Sequence, residues 1–281
     1  MKMKLLMENW RQFVNERDEE AAGAVEDILD TGGYEEYVSA LGGAVSDPRV
    51  QAVLGAGRED GNRADEAIDV DPGGGPCTQF YPIQNEIDIA NSLGYPATKD
   101  PANVTKVLAG GPMTAADFGP SSGPIVSAVD TYIVDGHHRW SQIFMLNPQA
   151  QIETMDIKIS NPEAALRAMQ AAIATVQGRI PSEAVPPGLN VFSMSDEAMV
   201  AWMDENFSDE FVQIYVANSD AQDKQGVIEQ ILSNIHLMRE NHPPQTDTTR
   251  GYMPQTGSPA AIEKELRALR RGAVNWKEPA E

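Results

Sequence analysis

The stretch TYIVDGHHRW, residues 131–140, concentrates the residue types that handle protons and phosphate. An apolar, β-branched run leads into Asp135 and Gly136, and a helical pattern starts at His137. The first turn of a helix carries unpaired N–H groups and a partial positive charge, so it attracts anions. Gly136 lets the backbone come close to a ligand. His138 and Arg139 add side-chain donors, and an arginine grips phosphate in a bidentate way. Asp135 is suited to hold Mg²⁺ or to take a proton from an attacking hydroxyl. His137 or His138 can serve as acid, base or charge stabiliser near neutral pH. The competing reading is an ordinary Asp-Gly turn, with Asp135 as a helix cap and both histidines in solvent. A zinc site does not fit, because adjacent histidines diverge on a helix and no His-x3-His or cysteine pair lies nearby.

The elements that must position this turn can be read on either side of it. GPIVSAVDTYIVDG predicts two short strands, around Ile125–Val126 and Tyr132–Val134, joined by a turn. HHRWSQIFML predicts a helix that ends at Asn147-Pro148, with Trp140 as a core residue, and IETMDIKI predicts the next strand. Upstream, TQFYPI reads as a strand, QNEIDIANSLG as a short helix closing at Gly94, and VTKVLAGG as another helix. Beyond Asn161-Pro162 helices are expected over 163–177, 196–206 with Ser195 as N-cap, and 222–240. An aperiodic, Pro-rich loop follows at 242–259. His236 and His242 are expected at the surface. The N-terminal region, 1–75, predicts two helices in an acidic, partly disordered stretch, and Gly73-Gly74-Gly75-Pro76 reads as its boundary. The expected fold class is therefore α+β. A small mixed-sheet domain over 76–160 lies between this N-terminal region and a helical C-terminal region over 161–281.

Composition limits the partners. The chain has 281 residues, enough to bury a sizeable core, with 42 acidic against 21 basic side chains and a net charge of -21. Such a field repels nucleic acid and anionic membrane at long range, so any DNA contact needs a local basic patch. Lys264, Arg267, Arg270 and Arg271 form the candidate patch, on one side of a C-terminal helix that also carries Glu263 and Glu265. No run of about 18 apolar residues is present, so no membrane span is expected. The single cysteine, Cys77, excludes an internal disulfide and suits a reducing, cytoplasmic compartment.

The segment GPIVSAVDTYIVDGHHRWSQ resembles the core of the ParB/sulfiredoxin superfamily: an apolar strand, a turn, a second strand, then Gly-x-His/Arg-Arg at a helix start. YPIQNEIDIANSLGYP is similar to the first motif of phage ParB-like nuclease domains. The likeness covers residues 78–160, under a third of the chain. It implies a fold that binds nucleotide phosphates at this turn, with ATP or CTP and Mg²⁺ as cofactors. Gly136, His138 and Arg139 would contact phosphate. His137 stands where sulfiredoxins have cysteine and partition proteins have glutamate, which argues against both of those chemistries. The turn is most similar to a free-serine-kinase branch, whose members use a glutamate from the upstream motif. Glu86 is the corresponding candidate for a second catalytic carboxylate, and Gln84 would orient Glu86 or the ligand. The function implied is phosphoryl transfer or nucleotide hydrolysis. The alternatives are a metal-dependent nuclease with Asp135 and Glu86 around the metal, or a non-catalytic phage virion protein. The last follows from the start MKMKLLMENWRQFVNE, which resembles the N-termini of proteins from marine tailed phages. That likeness implies a phage structural partner and a place in the host cytoplasm or the virion.

Overall fold

The computed structural model describes residues 68–98, 101–119, 122–177, 188–248, 253 and 258–271. The expected N-terminal helices, and nearly all of the 1–75 region, lie outside these residues. Two compact units divide the chain. One comprises Val70–Ala165 with Glu183–Met253, and the other Met1–Asp69, Leu166–Ser182 and Pro254–Glu281.

The first unit has the expected α+β architecture, built on a five-stranded mixed sheet. Its strands are β1 (Val70–Pro76), β2 (Tyr81–Pro82), β3 (Ile125–Ala128), β4 (Tyr132–Asp135) and β5 (Gln151–Ile157), in the order β1-β5-β3-β4-β2. β3 pairs antiparallel with β4 and parallel with β5, and β2 runs parallel to β4. All four residues of β3 are buried, as a strand covered on both faces must be. The β3–β4 turn places Val129 and Asp130 at φ 44° and 47°, the left-handed pair that suits the twist of a tight hairpin. A β-branched residue seldom adopts that conformation. Here the buried Asp156 carboxylate holds the turn by accepting from Asp130 N at 2.6 Å, and Val129 N donates to Ile157 O.

Three local expectations gave way to tertiary packing. The Gly73–Pro76 run is not a boundary but part of β1, which pairs antiparallel along its whole length with β5. A Cβ on Gly73 would lie 2.3 Å from Asp130 Oδ1, and one on Gly75 2.3 Å from Gln79 Oε1. These glycines admit neighbouring side chains rather than loosen a linker. In TQFYPI only Tyr81 and Pro82 pair as a strand, after a 3-10 turn at Cys77–Gln79. The helix expected to close at Gly94 instead runs from Ile89 to Thr98 (α1). Leu93 and Ala97 are both fully buried, so packing outweighs the weak helix propensity of Gly94 and Pro96.

The remaining helices of this unit are α2 (Ala102–Leu108), α3 (His137–Leu146), α5 (Asp196–Asn206), α6 (Asp209–Ala217) and α7 (Lys224–Asn241). α4 (Pro162–Gln177) begins here and passes into the other unit at Leu166. Ser195, Ser208 and Asp223 cap α5, α6 and α7 by accepting from a backbone N–H three residues on. α3 is buried on nearly every side and forms the centre of the unit. Trp140 donates to Cys77 O, Tyr215 Oη to Leu146 O, and Asn234 Nδ2 to Met145 O, so the helix is tied in along its length. His236 is partly exposed and pairs with Asp196 at 2.9 Å, as a surface residue would. His242 departs from expectation. It is buried, its ring lies between Tyr81 and Phe144, and its Nδ1 donates to Phe80 O. Burial lowers its pKa.

In the second unit, α8 (Pro259–Arg270) is capped by Ser258 and buries Ile262, Leu266 and Leu269, and Ile68 N donates to Leu269 O. Among the described residues, no helix is long and apolar enough to cross a membrane.

Candidate functional site

β4 delivers Asp135 to the edge of α3 through a single residue, Gly136, at φ 89° and ψ 25°. A Cβ there would meet Arg139 Nη2 at 2.9 Å and Ile125 at 3.1 Å. Glycine is therefore required twice, for the left-handed backbone and for the close approach. Gly136→Ala is expected to destabilise the fold by about 1–2 kcal/mol through the backbone alone, read as a lower midpoint in a urea melt.

The side chains of the turn are engaged with specific partners. Asp135 Oδ1 accepts from Gly136 N at 2.8 Å, and Oδ2 lies 3.8 Å from Arg139 Nη2. Arg139 donates from Nη1 to Gly123 O and from Nη2 to Pro124 O. Burial lowers the guanidinium pKa and the neighbouring Asp135 opposes that shift, so Arg139 remains a fixed positive charge beside Gly136.

The two histidines differ in role. His137 is buried, and its Nε2 accepts from Ile83 N and Gln84 N, both at 3.2 Å. Its pKa is pushed down to about 3, first by burial and then by the positive neighbours His138 and Arg139, while a hydrogen bond to the Ile133 backbone opposes the shift. The ring is thus neutral, and its acceptor lone pair is committed to backbone amides. His138 is half-buried, and its Nε2 accepts from Asp88 N at 3.3 Å, which puts the proton of the neutral ring on Nδ1.

These bonds draw the upstream motif onto the helix start. Residues 83–88 form a loop after β2, touched at Ile83 and Gln84 by His137 and at Asp88 by His138. Gln84 is buried and donates from Nε2 to Glu86 O, and Glu86 is half-buried between the two contacts. Asp88 caps α1, with Oδ1 accepting from Ala90 N and Oδ2 from Asn91 Nδ2. Ser92, the fourth residue of α1, and Ser141, the fifth of α3, meet Oγ to Oγ at 2.8 Å. The first turns of the two helices therefore meet beside the loop. α1 has the Asp88 carboxylate at its start, whereas the residue at the cap position of α3 is Gly136, which has no side chain.

Three further residues complete the arrangement, and none showed in the sequence. Thr246 Oγ1 donates to Ile83 O, Asn85 N donates to Thr248 O, and Asn190 bonds the backbone of both Asn85 and Ile87. They come from loops more than a hundred residues later and carry no periodic or motif signal. The residues of the proposed DNA patch lie apart in sequence and unit. On α8, Lys264, Arg270 and Arg271 are exposed, and Arg267 pairs with Glu263 at 2.8 Å. Among the described residues, no group of three or more His, Cys, Asp or Glu side chains could hold a metal ion by itself.

Comparison with known proteins yields no match, whether to a family model, a curated protein or a solved structure.

Proposed function

We propose that the Asp135–Arg139 turn binds the phosphates of a nucleoside triphosphate, ATP or CTP accompanied by Mg²⁺, and supports transfer or hydrolysis of the terminal phosphoryl group. One observation carries this reading. The histidine contacts, His137 to Ile83 and Gln84 and His138 to Asp88, bring the Gln84–Glu86 segment onto the start of α3. They join the two motifs that the ParB/sulfiredoxin resemblance puts into a single site. The start of α3 supports it further, since a helix N-terminus favours an anion even in a chain of net charge -21. On this reading Gly136, His138 and Arg139 face the phosphate.

The protein builds no metal cage of its own at this turn, but a Mg²⁺ that arrives on a triphosphate needs only one or two protein carboxylates. Asp135 and Glu86 are the carboxylates proposed for it, while Asp88 in the upstream motif caps α1 and Asp130 lies in the β3–β4 turn. The ion would neutralise charge on the phosphate oxygens. In the reaction, an oxygen of water or of an acceptor hydroxyl forms a bond to the terminal phosphorus. The bond from phosphorus to the bridging oxygen breaks, and the nucleoside diphosphate leaves with the electron pair. The acceptor's proton passes to a carboxylate. Asp135 is engaged by Gly136 N and faces Arg139, and Glu86, the upstream carboxylate that the resemblance puts in this role, is the acceptor proposed.

The test uses the full chain with terminally labelled ATP or CTP and Mg²⁺, and in parallel with supercoiled DNA, for wild type and Asp135→Ala. Release or transfer of label by the wild type, lost in the variant, is the expected result. DNA nicking lost in the variant would replace this reading with a nuclease of the same fold. Neither activity, with no nucleotide binding, would overturn it in favour of a non-catalytic virion role.

A further inference from the structure

Glu86 sits on a loop, yet its backbone is fixed from both sides. Asn190 Nδ2 donates to Asn85 O at 3.0 Å, and Asn190 Oδ1 accepts from Ile87 N at 3.1 Å. A single side-chain amide thus holds the peptide groups immediately before and after Glu86. Asn190 is itself anchored, because the same Oδ1 accepts from Phe192 N at 3.1 Å and Val191 N donates to Ile87 O at 2.8 Å. Gln84 Nε2 bonds the Glu86 carbonyl, so the chain is held at Asn85 O, Glu86 O and Ile87 N. A solvent-facing loop glutamate needs no such support, since water satisfies exposed loop backbone. Catalytic carboxylates do need it, because a misplacement of about 1 Å can lower turnover a hundredfold.

We infer that Asn190 is a positioning residue for Glu86, acting through the backbone of residues 85 and 87 rather than by touching substrate. The inference rests on the phosphoryl-transfer reading above. It makes the segment after Leu189 part of the site, although nothing in residues 78–160 announces it.

The experiment is a double-mutant cycle on the full chain with ATP and Mg²⁺, using Asn190→Ala, Glu86→Gln and their combination. Asn190→Ala is expected to lower kcat about 10- to 100-fold while the ATP Kd changes less than about twofold. The double variant is expected to be no slower than Glu86→Gln alone, since Asn190 acts through Glu86. A purely structural asparagine would instead give additive losses. Amide hydrogen exchange at Ile87 is measured alongside and is expected to be about tenfold or more faster in Asn190→Ala. If alanine abolishes folding, Asn190→Asp carries the kinetic test alone, because it loses the donor to Asn85 O but keeps the oxygen that Ile87 N and Phe192 N bond, so exchange at Ile87 is read only in the alanine variant. Additive kinetic losses, or an unchanged kcat, would overturn the positioning role while leaving the phosphate site intact. Unchanged exchange at Ile87 would overturn the clamp itself. A wild type that neither binds nor turns over nucleotide would overturn the phosphate reading, and the role given to Asn190 with it.

Discussion

Replacing His137 with alanine is expected to destabilise the protein by about 3–5 kcal/mol, measured by urea unfolding near neutral pH. The ring is buried, so truncation opens a cavity beneath the 83–88 loop. It also removes the acceptor shared by Ile83 N and Gln84 N. Ile83 N keeps a second partner in Ile133 O, whereas Gln84 N would lose the His137 acceptor while remaining buried. His137→Phe separates the two effects: it fills most of the volume and leaves only the hydrogen-bond loss, about 1–3 kcal/mol. The same pair of variants reports on pH. The imidazole titrates near 6.5 in the unfolded chain and near 3 in the fold. Between those values the unfolded chain binds a proton that the folded chain does not. The contribution is therefore complete above about pH 6.5 and is lost as pH falls toward 3, with a slope of up to about 1.4 kcal/mol per pH unit. His137→Phe should flatten that slope. His242, whose pKa burial also lowers, contributes in the same direction and leaves a residual slope in the variant. Equal slopes in wild type and His137→Phe would place the titrating group elsewhere.

His137 also marks where sequence reasoning reaches its limit. Residue type and spacing place a titratable group at a helix start, and that much is local. Whether the ring is an acid, a base or a backbone clamp depends on burial and on amides fifty residues upstream, which spacing cannot reveal. The same division runs through the fold. The β3–β4 hairpin, the junction into α3 and the Ser195 cap rest on short-range signals: β-branched runs, one glycine, one hydroxyl before a helical pattern. The β1 strand rests on pairing with β5, some eighty residues away, and its glycines are explained by Asp130 and Gln79 filling the space beside them. Read locally, three glycines and a proline say linker. His242 and Asn190 lie in or beside loops without periodicity, and only their partners, Phe80 O for one and the Glu86 peptide groups for the other, give them a role. The turn residues expected to face phosphate were visible in the sequence because their types and spacing mark them. Those that hold the loop were not, because their bonds are to backbone, and backbone carries no residue type.

The two carboxylates assigned to the proposed reaction, Glu86 and Asp135, are expected to separate under amide substitution, and the separation assigns their roles. Glu86→Gln keeps the size of the side chain and, on the assignment of Glu86 as proton acceptor, should lower kcat about 10²- to 10⁴-fold with little change in nucleotide Kd. Asp135→Asn should behave differently. Its amide oxygen can still accept from Gly136 N, so the turn survives, but the negative charge beside the phosphates is gone. Without Mg²⁺, the wild-type carboxylate repels a triphosphate, and Asp135→Asn should bind ATP more tightly than wild type. With Mg²⁺, the wild-type carboxylate would serve as a ligand for the bound ion, and that advantage should vanish or reverse. The measurement is ATP affinity by calorimetry with and without Mg²⁺, paired with single-turnover label release. An Asp135→Asn variant whose affinity shifts equally with and without the ion would remove Asp135 from the metal and leave it as a partner of Arg139 alone, 3.8 Å away. A Glu86→Gln variant that loses affinity but not turnover would move the proton acceptor to Asp135, and the backbone clamp on Glu86 would then serve binding rather than chemistry.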